Sequence, residues 1–146
     1  MTQPLSIIDI LGQAEQLSAQ GETQAAIDCY QRWLTSMPAE ETHLRHVALF
    51  NLGSLLSNQQ RLDEAIALYH EALQLRPDFY QAYVNLGLAY ERQGDSVKAL
   101  AVWQNGVQPI EAQTSLLNHL GRVYENLRLY DDAENALRRS IMINPE

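Results

Sequence analysis

The chain has 146 residues, enough for one domain with its own hydrophobic core, and its composition is that of a soluble globular protein. Its formal net charge of −8 gives it no electrostatic reason to bind nucleic acid or an anionic membrane, so neither is an expected partner. The single cysteine, Cys29, excludes an internal disulfide and fits a cytoplasmic location, and neither a signal peptide nor a membrane-spanning stretch is expected.

Apolar residues recur at helical spacing along the whole chain, and turn-forming residues divide the pattern into helices. The turn signals are Gly21, the polar run 58–60, Gly94 with Asp95, and Asn126. The sequence therefore predicts an all-α fold. The predicted helices cover residues 5–20, 23–36, 40–58, 61–75, 79–93, 95–107, 111–127 and 129–143.

A nearly identical tripeptide ends at three glycines that are evenly spaced. Asn-Leu-Gly ends at Gly53 and again at Gly87, 34 residues later, and His-Leu-Gly ends at Gly121 after another 34 residues. A glycine inside a helix costs about 1 kcal/mol relative to alanine, so it predicts a place where two helices cross too closely for a side chain. A period of this length is typical of stacked helix pairs.

The period, and the residues at fixed positions within it, resemble the tetratricopeptide repeat (TPR) family. Each repeat of that family is a helix–turn–helix with a small residue at position 8, alanine at 20, a large apolar residue at 24 and often proline at 32. The matching small residues are Ala14, Gly53, Gly87 and Gly121; the alanines are Ala26, Ala65, Ala99 and Ala133; the large residues are Tyr30, Tyr69, Trp103 and Leu137; the prolines are Pro38, Pro77 and Pro145.

The resemblance implies a right-handed superhelical solenoid of four TPR repeats within a single domain, residues 1–146. The repeats are expected at about residues 7–40, 46–79, 80–113 and 114–146. Repeats 1 and 2 are five residues further apart than the others, and Pro38 followed by acidic residues is typical of a helix start. This predicts a helical extension at about residues 40–45.

We find no catalytic constellation in the sequence. His43 and His46 are three residues apart on a predicted helix, but no cysteine or carboxylate is placed to complete a metal site. Cys29 has no evident base partner, and there is no Gly-rich phosphate loop or nucleophile elbow. We therefore expect no metal, no cofactor and no enzymatic activity in this chain.

In TPR proteins the first helices line a concave groove, and the resemblance implies such a groove here. The residues opposite the packing stripe of these helices are its candidate lining, apolar towards the N-terminal end and polar towards the C-terminal end. The alternative is that the extended helix of repeat 2, or a tilt of repeat 1, covers the apolar row. The candidate peptide-binding residues are Leu11, Phe50, Asn51, Ser54, Gln81, Val84, Asn85, Leu88, Asn118 and Arg122.

Asn51 and Asn85, at equivalent positions, are similar to the asparagine ladder of O-linked N-acetylglucosamine transferases, whose amides hold the backbone of an extended protein substrate. An amide suits that task because it both donates and accepts. The basic clamp with which one subset of the family holds chaperone tails is absent. We therefore predict a protein–protein interaction module that binds an extended peptide or partner segment.

Two alternatives stay open. The chain is also similar to the N-terminal TPR arms that recruit substrates in bacterial SPINDLY-like proteins resembling those glycosyltransferases, and it could be a self-assembling scaffold. Apolar residues of the last predicted helix, among them Leu137, Ile141 and Ile143, have no following helix to cover them. This predicts a piece of a longer protein with weak homodimerisation through its C-terminal repeat.

Overall fold

The computed structural model describes residues 5–106, 113–126 and 128–143, and over these residues the chain forms eight α-helices and one 3-10 helix. The eight predicted helices, and with them the all-α fold class, are confirmed, and their bounds agree to within a few residues, except that the third begins at Arg45 and not at residue 40. Predicted helix residues 107, 111–112 and 127, together with Pro109 and Pro145, lie outside the described residues. The helices are α1 Ile7–Ala19, α2 Thr23–Ser36, α3 Arg45–Asn58, α4 Leu62–Leu75, α5 Tyr80–Arg92, α6 Ser96–Asn105, α7 Gln113–Asn126 and α8 Tyr130–Ile143, with the 3-10 helix Ala39–Leu44 between α2 and α3.

The chain divides into two compact units, which we call the N-terminal unit, Met1–Arg76, and the C-terminal unit, Pro77–Glu146. Each holds two consecutive helix pairs. In the N-terminal unit α1 packs on α2, α2 on α3 and α3 on α4; in the C-terminal unit α5 packs on α6, α6 on α7 and α7 on α8. That all 146 residues form a single domain stays a prediction.

The turn inside each helix pair ends the first helix in the same way. One residue takes a positive φ at an equivalent position of every pair: Gly21 at 78°, Gln60 at 62°, Gly94 at 83° and Arg128 at 60°. The next residue then donates its N–H to a carbonyl five residues earlier, which is the hydrogen bond of a Schellman cap. Two pairs thus use glycine for this turn, while the other two tolerate a conformation that costs a side-chain-bearing residue roughly 1–2 kcal/mol.

The repeated glycines mark the predicted close approach of two helices. A Cβ on Gly53 would lie 2.8 Å from Cε1 of Tyr69, and one on Gly87 would lie 2.1 Å from Nε1 of Trp103. Both rings come from the second helix of the same pair. The ring therefore packs directly on the backbone of the first helix, in space that a methyl group would fill.

The extension expected at residues 40–45 is a separate 3-10 helix, Ala39–Leu44, that does not continue into α3. Leu44, at φ −100° and ψ 5°, leaves the α conformation just before α3 begins. The Glu41 carboxylate accepts the N–H of Ile7 at 2.7 Å, and the Arg45 guanidinium bonds to the Glu71 carboxylate at 3.1 Å. The five extra residues thus make two contacts: Glu41 bonds to the start of α1, and Arg45 bonds to the side of α4.

Candidate peptide-binding surface

The N-terminal unit has a cavity of about 300 Å³ between the first helices of its two pairs. Three predicted site residues, Leu11, Asn51 and Ser54, contribute to its wall, so the structure brings them together. The complete lining is Leu11, Ala14, Glu15, Ser18, Tyr30, Asn51, Ser54, Leu55 and Asn58.

Polar groups of the cavity wall are held in place by hydrogen bonds along α3. Asn51 Nδ2 donates to the carbonyl of Val47 at 2.8 Å, and Ser54 Oγ donates to the carbonyl of Phe50 at 3.1 Å. The hydroxyl of Tyr69 in turn donates to Ser54 Oγ at 3.3 Å. The bond to Val47 uses one N–H of the Asn51 amide, and its Oδ1 oxygen can accept a further hydrogen bond.

Apolar surface at this end comes from two predicted site residues that are both half-buried, Leu11 and Phe50. The Phe50 ring lies 5.9 Å from the Tyr69 ring with the planes tilted by 50°. Since aromatic pairs at this spacing stabilise one another, part of the Phe50 surface serves packing within the unit. Leu11 contributes directly to the cavity wall.

Several cavity residues were not among the predicted site residues. Glu15 occupies the position equivalent to Ser54, so the repeat pattern that found Ser54 also contained the signal for Glu15. Tyr30 comes from α2, so a prediction restricted to the first helix of each pair could not include it. Burial raises the pKa of the Tyr30 hydroxyl above its usual value, and the neighbouring Cys29 and Glu15 raise that pKa further.

In the C-terminal unit the predicted apolar residues Val84 and Leu88 are half-buried against the core. They pack on a buried cluster that includes Trp103, Leu117 and Leu120. The carbonyl of Val84 also accepts the Trp103 Nε1–H at 3.3 Å. Part of the surface of Val84 and of Leu88 therefore serves packing within this unit.

Arg122 is engaged by neighbours within the C-terminal unit. Its Nη1 lies 2.8 Å from Glu91 Oε1, and its guanidinium carbon lies 6.0 Å from the Trp103 ring centre. The His119 ring stacks on Trp103 with the ring centres 4.8 Å apart. Burial lowers the pKa of His119, the positive charge of Arg122 lowers it further, and Glu91 opposes both.

The remaining predicted residues of the C-terminal unit differ in how far they are engaged. Asn118 accepts a hydrogen bond at 2.7 Å from the hydroxyl of Ser140, a buried residue of α8. Asn118 therefore supports the packing of α7 on α8. On α5, Gln81 is exposed and Asn85 is half-buried.

Neither a metal centre nor a membrane segment emerges from the described residues. His43 belongs to the 3-10 helix and His46 to α3, so the single helix that would have joined them is divided. Across residues 5–106, 113–126 and 128–143, no three His, Cys, Asp or Glu side chains are grouped as metal ligands. Over the same part of the chain, no helix has the length and apolar character needed to cross a membrane.

Repeated helix pairs with glycine-mediated packing define an all-α repeat protein. Two family models match the chain: a TPR repeat over residues 53–94 and a tetratricopeptide repeat over residues 114–146. The chain belongs to the tetratricopeptide-repeat proteins. Proteins of this family mediate protein–protein interactions through the surfaces of their stacked repeats.

Known proteins share this repeat region. The Saccharomyces cerevisiae peroxisomal targeting signal receptor is 33% identical over 106 residues, which are 73% of this chain and 16% of that protein. The human protein O-mannosyl-transferase TMTC3 is 30% identical over 98 residues, 66% of this chain and 11% of that protein. A tetratricopeptide repeat protein of known structure from Parabacteroides merdae superposes with a TM-score of 0.84 at 22% identity, over 94% of this chain and 53% of that one. The chain thus corresponds to a small part of these curated relatives.

Proposed function

We propose that this chain binds an extended peptide or partner segment, and that the cavity of the N-terminal unit is part of the contact. The observation that supports this is the convergence of Leu11, Asn51 and Ser54 on one open cavity. The cavity is at the lower end of the roughly 300–1,000 Å³ range of ligand pockets, which suits a side chain and its adjoining peptide units better than a large small-molecule ligand.

The chemistry of the wall also supports a polypeptide ligand. The Asn51 Nδ2 bond to Val47 leaves the Oδ1 atom without a partner among the described residues, so this oxygen can accept a backbone N–H. Leu11 and Leu55 supply apolar contact beside it. Backbone hydrogen bonds flanked by small apolar contacts are a common way of holding an extended chain.

Peptide binding can be tested by panning random linear peptides displayed on phage against the whole chain and measuring the selected peptides by calorimetry. The double variant Leu11→Ala, Asn51→Ala should weaken binding about tenfold, because one apolar contact and one hydrogen bond are lost. The matched control is Val97→Ala, Asn105→Ala, since both residues are exposed on α6. Absence of any enriched peptide, or equal affinities of the double variant and the unaltered chain, would contradict the proposal.

A second candidate function is a substrate-recruiting arm of a larger glycosyltransferase-like enzyme. The match to 98 residues of the human protein O-mannosyl-transferase TMTC3 favours it, since a protein named as a transferase contains a region similar to this chain. In this case the chain by itself binds and does not catalyse. Reading the open reading frame that encodes the chain tests the idea: a continuous transferase domain supports it, and a frame without one contradicts it.

A further inference from the structure

The residues that line the cavity of the N-terminal unit carry negative charge only. Glu15 supplies the carboxylate of the wall, and none of the lining residues is lysine, arginine or histidine. Glu15 is exposed and makes no ion pair or side-chain hydrogen bond with any residue that the structure describes. Its charge is therefore available to a ligand, and a carboxylate ligand would be repelled.

Three of the four arginines of this unit have partners outside the cavity, and the fourth, Arg76, is not part of its wall. Arg45 pairs with Glu71 at 3.1 Å and Arg61 pairs with Glu64 at 2.6 Å. Arg32 donates to the carbonyl of Asp28 in its own helix at 3.4 Å. These three side chains do not contribute to the cavity, so they leave its negative potential in place.

Side chains with acceptor oxygens line the same cavity as the Glu15 carboxylate. One of them, Tyr30, is buried, and burial raises the pKa of its hydroxyl above the usual value. The side chains of Ser18, Asn51 and Asn58 also line the cavity, and each carries an oxygen that can accept a hydrogen bond. An ammonium group has three donors and a guanidinium five, so a wall of several acceptors suits a cation.

The apolar part of the wall is formed by Leu11, Ala14 and Leu55. Lysine and arginine carry aliphatic stems that pack on such surfaces while the charged head reaches polar groups. The cavity thus matches both parts of these side chains, and neither part of an acidic one.

We infer that this cavity receives a lysine or arginine side chain of the bound polypeptide, with the Glu15 carboxylate as its counter-charge and the Leu11 and Leu55 side chains against its stem. This inference rests on the proposed peptide binding. It specifies the ligand as a basic segment, which also matches the net charge of −8 of the chain.

The test uses the peptides selected by panning against the whole chain. Each lysine or arginine of a selected peptide is replaced by norleucine, and affinities are measured with the unaltered chain, with Glu15→Gln and with Glu40→Gln. Glu40 is an exposed carboxylate of the same unit outside the cavity wall, so Glu40→Gln removes the same charge at a different place. One basic residue should recur in the peptides, and its replacement should weaken binding three- to tenfold with the unaltered chain and with Glu40→Gln.

With Glu15→Gln the same replacement should have almost no effect, because the partner charge is already gone, and this non-additivity is the signature of a direct pair. Selected peptides without a recurrent basic residue would overturn the inference while leaving peptide binding intact. The same conclusion would follow if Glu40→Gln and Glu15→Gln weakened binding equally, since the effect would then come from overall charge. A failure to select any peptide would overturn peptide binding itself, and this inference with it.

Discussion

Equivalent repeat positions have different surroundings in the two units. In the N-terminal unit Asn51 and Ser54 form part of the wall of an open cavity. In the last repeat of the C-terminal unit the equivalent residues are His119, stacked on Trp103, and Arg122, paired with Glu91. A surface position of a repeat protein is available to a ligand only when the second helices and the neighbouring first helix leave it without a partner. The positions alone therefore do not define a binding surface, and the N-terminal unit is the better candidate.

The largest expected effect concerns packing. Gly87→Ala places a methyl group 2.1 Å from the buried Trp103 ring, so it should lower the free energy of unfolding by about 2 kcal/mol or more, despite the better helix propensity of alanine. Gly53→Ala meets Tyr69 at 2.8 Å and should cost less, since the contact is less severe. Urea denaturation followed by circular dichroism measures both.

The control for these substitutions is Gly12→Ala. A Cβ at Gly12 has no neighbouring atom within 4 Å, so this variant should gain about 1 kcal/mol from helix propensity alone. If Gly87→Ala were as stable as Gly12→Ala, the tight packing of Trp103 on α5 would be disproved.

A second pair of variants separates support from binding. Asn118→Ala removes the nearer acceptor of the buried Ser140 hydroxyl, leaving only the Thr114 carbonyl at 3.4 Å, and should cost about 1 kcal/mol of stability with no change in peptide affinity. Asn51→Ala should instead leave stability within about 0.5 kcal/mol and weaken peptide binding severalfold. Denaturation and calorimetry on the same two proteins provide the comparison; an exchange of the two outcomes would place the binding surface in the C-terminal unit.

A smaller effect depends on pH through His119. Its pKa is lowered in the folded chain by burial, then by Arg122, with Glu91 in opposition. Below the usual value of about 6.5 the unfolded chain therefore binds a proton more readily, so this contribution is full above about pH 6.5 and is lost as the pH falls. Unfolding measured on both sides of that pH should show a shallower dependence for His119→Gln. An identical dependence in the two proteins would contradict the assignment.

The smallest effect concerns self-association. Ile141 and Met142 at the end of α8 are 62% and 82% exposed, and neighbouring apolar side chains of this kind favour weak contacts. We expect a weak dimer in sedimentation at high concentration that Ile141→Glu abolishes. Ile8→Glu, at a residue 76% exposed in the other unit, should leave it unchanged. A monomer at every concentration would disprove the predicted dimer.

Much of this fold follows from the sequence, because helical periodicity and the 34-residue spacing depend on local chemistry. The close approach of a second helix at Gly53 and Gly87 also followed, since these glycines recur at the repeat period. Which candidate site residues are hydrogen-bonded or packed against other helices could not be predicted in the same way. Whether Asn118 is satisfied depends on Ser140 from another helix, and Tyr30 reaches the cavity from α2. Such contacts arise from the packed structure and leave no periodic signal.

The 3-10 helix has a consequence for how the first helix opens. The first amides of a helix have no partner within it, and terminal turns are therefore the places where fraying and hydrogen exchange begin. Here the Ile7 amide is bonded to Glu41, 34 residues away along the chain. To fray, α1 must give up a charge-assisted contact with the second repeat. The insertion between the repeats thus couples the opening of the first turn of α1 to the second repeat.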